Sequence, residues 1–476
     1  MPTACEEPLV SRVMFYNRAV ITDAKEDFML RVNLPSNPAS AAALLALAVA
    51  LLSACGAPDR SEVQSAAVPT PARPTAATAP GDLLYIRDSS KGSSERITII
   101  DSISGARERD LPPGVTSPDW STLYVAEQHD GKTTLRALDL ATEQTLRATT
   151  IDGAYDLPMI TPDSVMGGLS PNGRWLALTA RGDRQQTQFV VLDTMFKQQP
   201  RQVDLEGYFL FDGLNNGGTS LFLTESLGDD PTAKYQVRRY DLTRGALDPN
   251  VIVDKLDGSQ IMSGVRQTAV ASQSGGWLYS LYLNPAHGPF IHALPINEAE
   301  QVGLAFCIDL PTASKNDTAK QSRWSLLMGA DTSTLLAVNG ALGLVVEYNV
   351  RDGAPQMLRT KSLFDAPDAA SVLTARSDAS ASSVAALAPD GKTLYALGQR
   401  GLLVIDMQSL ALRGRYLPDW ALDGIVISPD SARLYAASRA QGKIVRLDPT
   451  GGAIAAEVPA AGEPSGLVRV TARIEN

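Results

Sequence analysis

Short apolar runs at regular spacing, a turn-and-strand unit recurring every 40–50 residues or so, and two half-units at the ends of the region after residue 81 together predict an all-β fold. The predicted architecture is a closed β-propeller of eight (alternatively seven) four-stranded blades, its ring closed by the C-terminal strand pairing with the first blade. Each unit begins with a Ser-Pro-Asp/Asn-Gly turn and a strand of the type TLYA. A gap follows, then an aliphatic strand ending in Asp. Proline presets φ at one turn position and glycine accepts φ > 0 at another, so the turn suits a tight hairpin. In strands such as TLYA, polar residues are expected outward and apolar ones inward.

The elements run as follows. DLLYIRD with ITIIDSIS (82–88 and 97–104) opens the domain without a preceding strand. TSPDWSTLYVAEQ with LRALDLAT spans Asp119 to Asp139, and LSPNGRWLALTAR with FVVLDTM spans Asn172 to Asp193. Three weaker copies follow: NNGGTSLFLTE with VRRYDLT, ASQSGGWLYSLY with FIHALPI, and MGADTSTLLAVN with VVEYNV. Merging those between about 205 and 320 differently gives the seven-blade alternative. LAPDGKTLYALG with GLLVIDMQS (Asp390, Asp406) and ISPDSARLYAAS with IVRLDPT (Asp430, Asp448) are clear copies. SGLVRVTARIE (465–475) is a lone opening strand, which completes the first unit from inside and removes an open sheet edge.

The preceding residues divide into three. Ala41 to Ala54 is a run of fourteen residues in which only Ser53 is polar. A span needs roughly 20 apolar residues, whereas a signal-peptide core needs about 7–15. Residues 29–54, from Met29 with Arg31 as the basic residue, therefore read as an export leader, and 1–28, with the acidic DAKEDF, as a misplaced start. A core helix ending in a chance cysteine is the competing reading of the run. Residues 55–81, rich in Pro, Ala and Thr, form a flexible tether. Residues 82–476 form the propeller.

Net charge is −10, which argues against a nucleic-acid partner and against electrostatic attachment to anionic lipid. Of three cysteines, Cys5 falls before the leader and Cys55 ends it. Cys307, in LAFCIDLP, is left without a disulfide partner and is expected to act as a small hydrophobe. Three histidines are too few and too scattered for a His-rich metal site, and His287 and His292 are five apart, on opposite faces of a strand. Glu225, Asp229 and Asp230 in ESLGDDPTAK lack the spacing of a calcium loop and read as a solvated connection. Asp101, Asp139, Asp193, Asp241, Asp406 and Asp448 recur once per unit, which fits a turn role better than catalysis. Trp120, Trp175, Trp277, Trp324 and Trp420 are expected to pack between blades; an aromatic rim for sugars or a partner is the alternative. No nucleophile elbow, phosphate loop or dinucleotide fingerprint occurs, so no catalytic, cofactor or metal residues are assigned.

Two resemblances follow from these residues. Leu52-Ser53-Ala54-Cys55 resembles a bacterial lipobox, which implies cleavage before Cys55 and a diacylglycerol on its thiol. The SPDG…LYVA…VID units resemble the bacterial YVTN / WD-repeat-like β-propeller superfamily over residues 83–476, though the WD dipeptide is absent. Together they imply a monomeric lipoprotein outside the cytoplasm, held at the cell membrane or envelope through Cys55. The expected function is a binding scaffold for an envelope protein, glycan or small ligand. The alternative is an enzyme such as a lactonase-like hydrolase with its site at the central channel.

Overall fold

The computed structural model describes residues 81–473 apart from 89–95, 161–164, 182–184, 231–233, 285, 298–302, 313–317, 352, 365–383 and 460–465. The expected leader, Cys55 and all but the last residue of the tether lie outside the described residues. Eight sheets follow one another as the blades of a β-propeller, and one short helix, Thr318–Gln321, interrupts them. This is the eight-blade alternative. The weak copies between 205 and 320 form separate blades.

From inside outward, blade 1 is Gly466–Ala472, Asp82–Asp88, Arg96–Asp101 and Arg107–Leu111. Blade 2 is Val115–Thr116, Thr122–His129, Lys132–Asp139 and Thr145–Asp152. Blade 3 has strands Trp175–Arg181, Gln186–Asp193 and Arg201–Glu206, with its innermost place taken by a segment held through the Leu169–Leu176 bridge. Blade 4 begins with Phe209–Leu214 and Ser220–Ser226, then Tyr235–Asp241 and Ala246–Leu247. Blade 5 is Val265–Ala271, Trp277–Asn284, Gly288–Pro295 and Leu304–Asp309, with a fifth strand, Val253–Asp254, added in parallel at its edge. Blades 6, 7 and 8 begin at Ser325–Met328, Ala385–Leu387 and Gly424–Ile427.

The ring closes as the repeat arithmetic requires. Gly466–Ala472 pairs antiparallel with Asp82–Asp88, from Asp82 opposite Ala472 to Arg87 opposite Gly466. Around this seam the Tyr435 hydroxyl donates to Asp82 Oδ2 at 2.6 Å, and Arg433 Nε lies 3.0 Å from the same oxygen. Arg473 Nη1 donates to Asp101 Oδ2 at 2.6 Å. Burial pushes the Asp82 carboxyl above its ordinary pKa.

One sequence expectation changes. The second strands do not alternate between core and solvent. Trp277–Asn284 is buried at every position, and Thr393–Leu397 at all but its first. A blade packs against a neighbour on each face, so both sides of its second strand are core. The clusters follow that geometry: Tyr279, Ile291, Trp324 and Leu335 join blades 5 and 6, and Tyr395, Val404, Ile425 and Leu434 join blades 7 and 8.

Candidate functional site

The repeated features explain turns. Each recurrent aspartate accepts backbone N–H groups just beyond it. Asp101 Oδ1 takes those of Ile103 and Ser104, Asp139 Oδ1 those of Ala141 and Thr142, and Asp241 Oδ1 those of Thr243 and Arg244. Asp193 accepts from Met195, Asp406 from Ser409 and Asp448 from Thr450. These bonds, made to the charged form, hold the Asp406 carboxyl down to about 2. Trp175, Trp277 and Trp324 are buried in the inter-blade core, and Trp420 packs at its edge. Glu225 pairs with Arg238 inside blade 4, while Asp229 and Asp230 are exposed. His287 is exposed in a turn and His292 buried in its strand. Among the described residues, no group of three metal-ligating side chains converges.

The polar cluster that stands out is not repeated. It lies between blades 4 and 5, and two β-bulges build it. In blade 4 the register slips between Phe211 and Gly213, which leaves Asp212 as the extra residue. In blade 5 it slips between Arg266 and Thr268. A bulge redirects side chains out of the strand's alternation. Here Arg266 Nη1 reaches Asp212, donating to its carbonyl at 2.8 Å and to Oδ1 at 3.0 Å. The Tyr282 hydroxyl donates to the same Oδ1 at 3.3 Å. The side chains of Arg266 and Asp212 are 10% and 1% exposed, so the pair is withdrawn from bulk water.

Behind this pair the ring of Tyr282 packs on Phe290, Tyr235 and His292, with centroids 5.4, 6.0 and 6.1 Å away. His292 is only 1% exposed, and burial lowers its pKa, which keeps the imidazole neutral at pH 7. Burial also raises the phenols of Tyr235 and Tyr282 and the Cys307 thiol above their ordinary values. Cys307 sits directly opposite His292 on the next strand. It is half-buried beside Asp254, with polar neighbours that a purely apolar role does not foresee. The segment carrying Asp254 bridges the outer edges of both blades, since Ile252 and Met262 pair with blade 4 while Val253–Asp254 pairs with blade 5.

In front of the pair lies a cavity of about 340 Å³, where the innermost elements of blades 2 to 5 meet. Its described lining is mostly backbone and apolar: Gly167, Gly168, Phe211 and Gly213, with Trp120, Met166, Leu278 and Ile296. Asp212 and Arg266 are the charged residues among that lining. A second cavity, of about 350 Å³, lies between blades 7 and 8. Its phenols are already engaged, Tyr395 and Tyr416 both donating to the carbonyl of Pro449 at 3.1 and 2.9 Å.

Sequence reasoning singled out neither Asp212 nor Arg266. Each is one charged residue in an apolar strand, in FLFDGL and VRQTAVA, and by alternation each reads as outward-facing. The available signal is the Asp-Gly step inside a strand, since glycine there often marks a bulge.

Fold and cavity together define the class of protein: an eight-bladed β-propeller with a small pocket among the inner elements of four neighbouring blades. No protein-family model and no curated protein matches the chain. Solved structures do. Apo AztD from Citrobacter koseri aligns with 83% of this chain and 98% of its own at 12% identity and a TM-score of 0.48. The dihydro-heme d1 dehydrogenase NirN, in complex with DHE, aligns with 84% and 77% at 16% identity and 0.46. The periplasmic gluconolactonase PpgL of Pseudomonas aeruginosa aligns with 82% and 98% at 17% identity and 0.40. The likeness is one of fold.

Proposed function

We propose that this chain is a lipid-anchored propeller outside the cytoplasm that binds a small ligand in the cavity among the inner elements of blades 2 to 5 and does not transform it. Cys55 carries the lipid, residues 56–81 are the tether, and the propeller is presented at the bacterial envelope. The observation that carries the binding reading is the cavity wall, which is backbone and apolar side chains around a single self-neutralised ion pair. Hydrolysis asks for a base or nucleophile within reach of the bound molecule. His292 is shut behind the wall, and the carboxylate among the described lining, Asp212, is ion-paired with Arg266.

Two measurements on the full chain test this reading. The mass of membrane-extracted protein is expected to match a chain that begins at Cys55 and carries a diacylglycerol, and Cys55→Ala to lack both the lipid and that cleavage. An unmodified chain that keeps Ala41 to Ala54 overturns the anchor. Incubated with a series of lactones, the protein is expected to leave their hydrolysis at the buffer rate. Hydrolysis above that rate, lost in Asp212→Asn, establishes the enzyme instead.

A further inference from the structure

On the reading that the cavity among blades 2 to 5 binds a ligand, we propose the chemical class it selects: an uncharged molecule with an apolar, ring-sized body and a carboxamide-type edge. Such an edge presents one hydrogen-bond donor and one acceptor side by side.

The charge balance of the wall comes first. Arg266 and Asp212 sit 3.0 Å apart and cancel one another. An anion drawn to Arg266 meets the Asp212 carboxylate beside it, and a cation drawn to Asp212 meets the guanidinium. Either ion gives up hydration and gains little net attraction in return. The pair is nevertheless incomplete. Asp212 Oδ2 accepts no hydrogen bond and Arg266 Nε donates none among the described residues, although both atoms are buried. Buried polar groups are ordinarily satisfied, and one left without a partner is expensive. The two open valences are of opposite kind. A carboxamide edge fills both, its N–H donating to Oδ2 and its carbonyl accepting from the guanidinium. Asp212 and Arg266 both line the cavity, and a bound edge reaches Oδ2 when the Asp212 carboxylate turns about its terminal torsion and gives up its present bonds through Oδ1 to Arg266 and Tyr282.

The rest of the wall sets the body of the molecule. Trp120, Ile160 and Met166 offer apolar surface, with the buried Leu278 and Ile296 packed behind it. A volume of about 340 Å³ is small among ligand sites, which run from roughly 300 to 1,000 Å³, and suits a single substituted ring.

Three probes of nearly one shape and three charges test the proposal: benzamide, benzoate and benzamidine, titrated calorimetrically into the full chain in detergent. Benzamide is expected to bind at least about tenfold more tightly than either ion, a gap of about 1.4 kcal/mol. Ala271→Trp, which fills the cavity, is expected to abolish that binding. In Asp212→Asn the guanidinium loses its counter-charge, and preference is expected to pass to benzoate. The wild-type ranking stands by itself if that variant fails to fold. Benzoate or benzamidine bound as tightly as benzamide overturns the carboxamide class and leaves cavity binding intact. Binding of none of the three overturns the class too. Cavity binding is judged separately, by whether Ala271→Trp changes the small molecules that co-purify with the protein.

Discussion

Thr332 sits at φ 60° in the turn that opens the second strand of blade 6. Its counterparts in blades 3 and 7 are Gly173 and Gly391, at φ 70° and 69°, where the left-handed conformation is free of Cβ strain. A β-branched residue there is an outlier. Thr332→Gly is therefore expected to stabilise the domain by about 1 kcal/mol, seen as a raised urea midpoint. Thr332→Ala keeps the strain and is expected to bring no such gain. A lowered midpoint for the glycine variant would show that the Thr332 side chain outweighs its backbone cost. At this scale the turn aspartates were legible in the sequence, because their bonds reach only two to four residues along the chain. Asp212 and Arg266 were not. Their meeting spans 54 positions and depends on two bulges, and a one-residue slip moves a side chain to the other face.

Among the elements, the strand Gly466–Ala472 has the largest consequence for its length. It occupies the innermost place of blade 1 and buries Leu467 and Val470 against blades 1 and 8. Those two side chains alone contribute about 3–6 kcal/mol. Removing residues 466–476 also exposes the edge of Asp82–Asp88 and frees Asp101 from Arg473. The truncated chain is expected to melt at a much lower temperature and to lose cooperativity across the whole ring. An unchanged melting temperature would contradict closure by this strand. The closure was readable because each end of the domain carries half a unit. The edge strand Val253–Asp254 was not, since two residues paired in parallel leave no period in the sequence. The burial of the second strands on both faces was likewise missed, because alternation describes a sheet with one solvated face and a blade between neighbours has none.

For the molecule as a whole, the repeat explains the scaffold and its exceptions make the site. Seven internal units and one shared unit give eight blades, and the aspartates and turns that recur belong to that scaffold. The Asp212–Arg266 pair and the buried aromatic cluster behind it lie between blades 4 and 5, among the weakest copies of the repeat, and the cavity in front of them reaches from blade 2 to blade 5. Weak repeats are where local demands compete with the pattern, so the same departures that blurred the blade count mark the candidate site. The cavity is expected to hold a ligand and return it unchanged. The most direct test is to purify the full wild-type chain and Ala271→Trp from envelopes, denature both, and compare the released small molecules by mass spectrometry. Wild type is expected to release a compound that is absent from the variant and is recovered unaltered after prolonged incubation with fresh protein. Equal release from both proteins, or steady conversion of the compound during that incubation, would contradict that expectation.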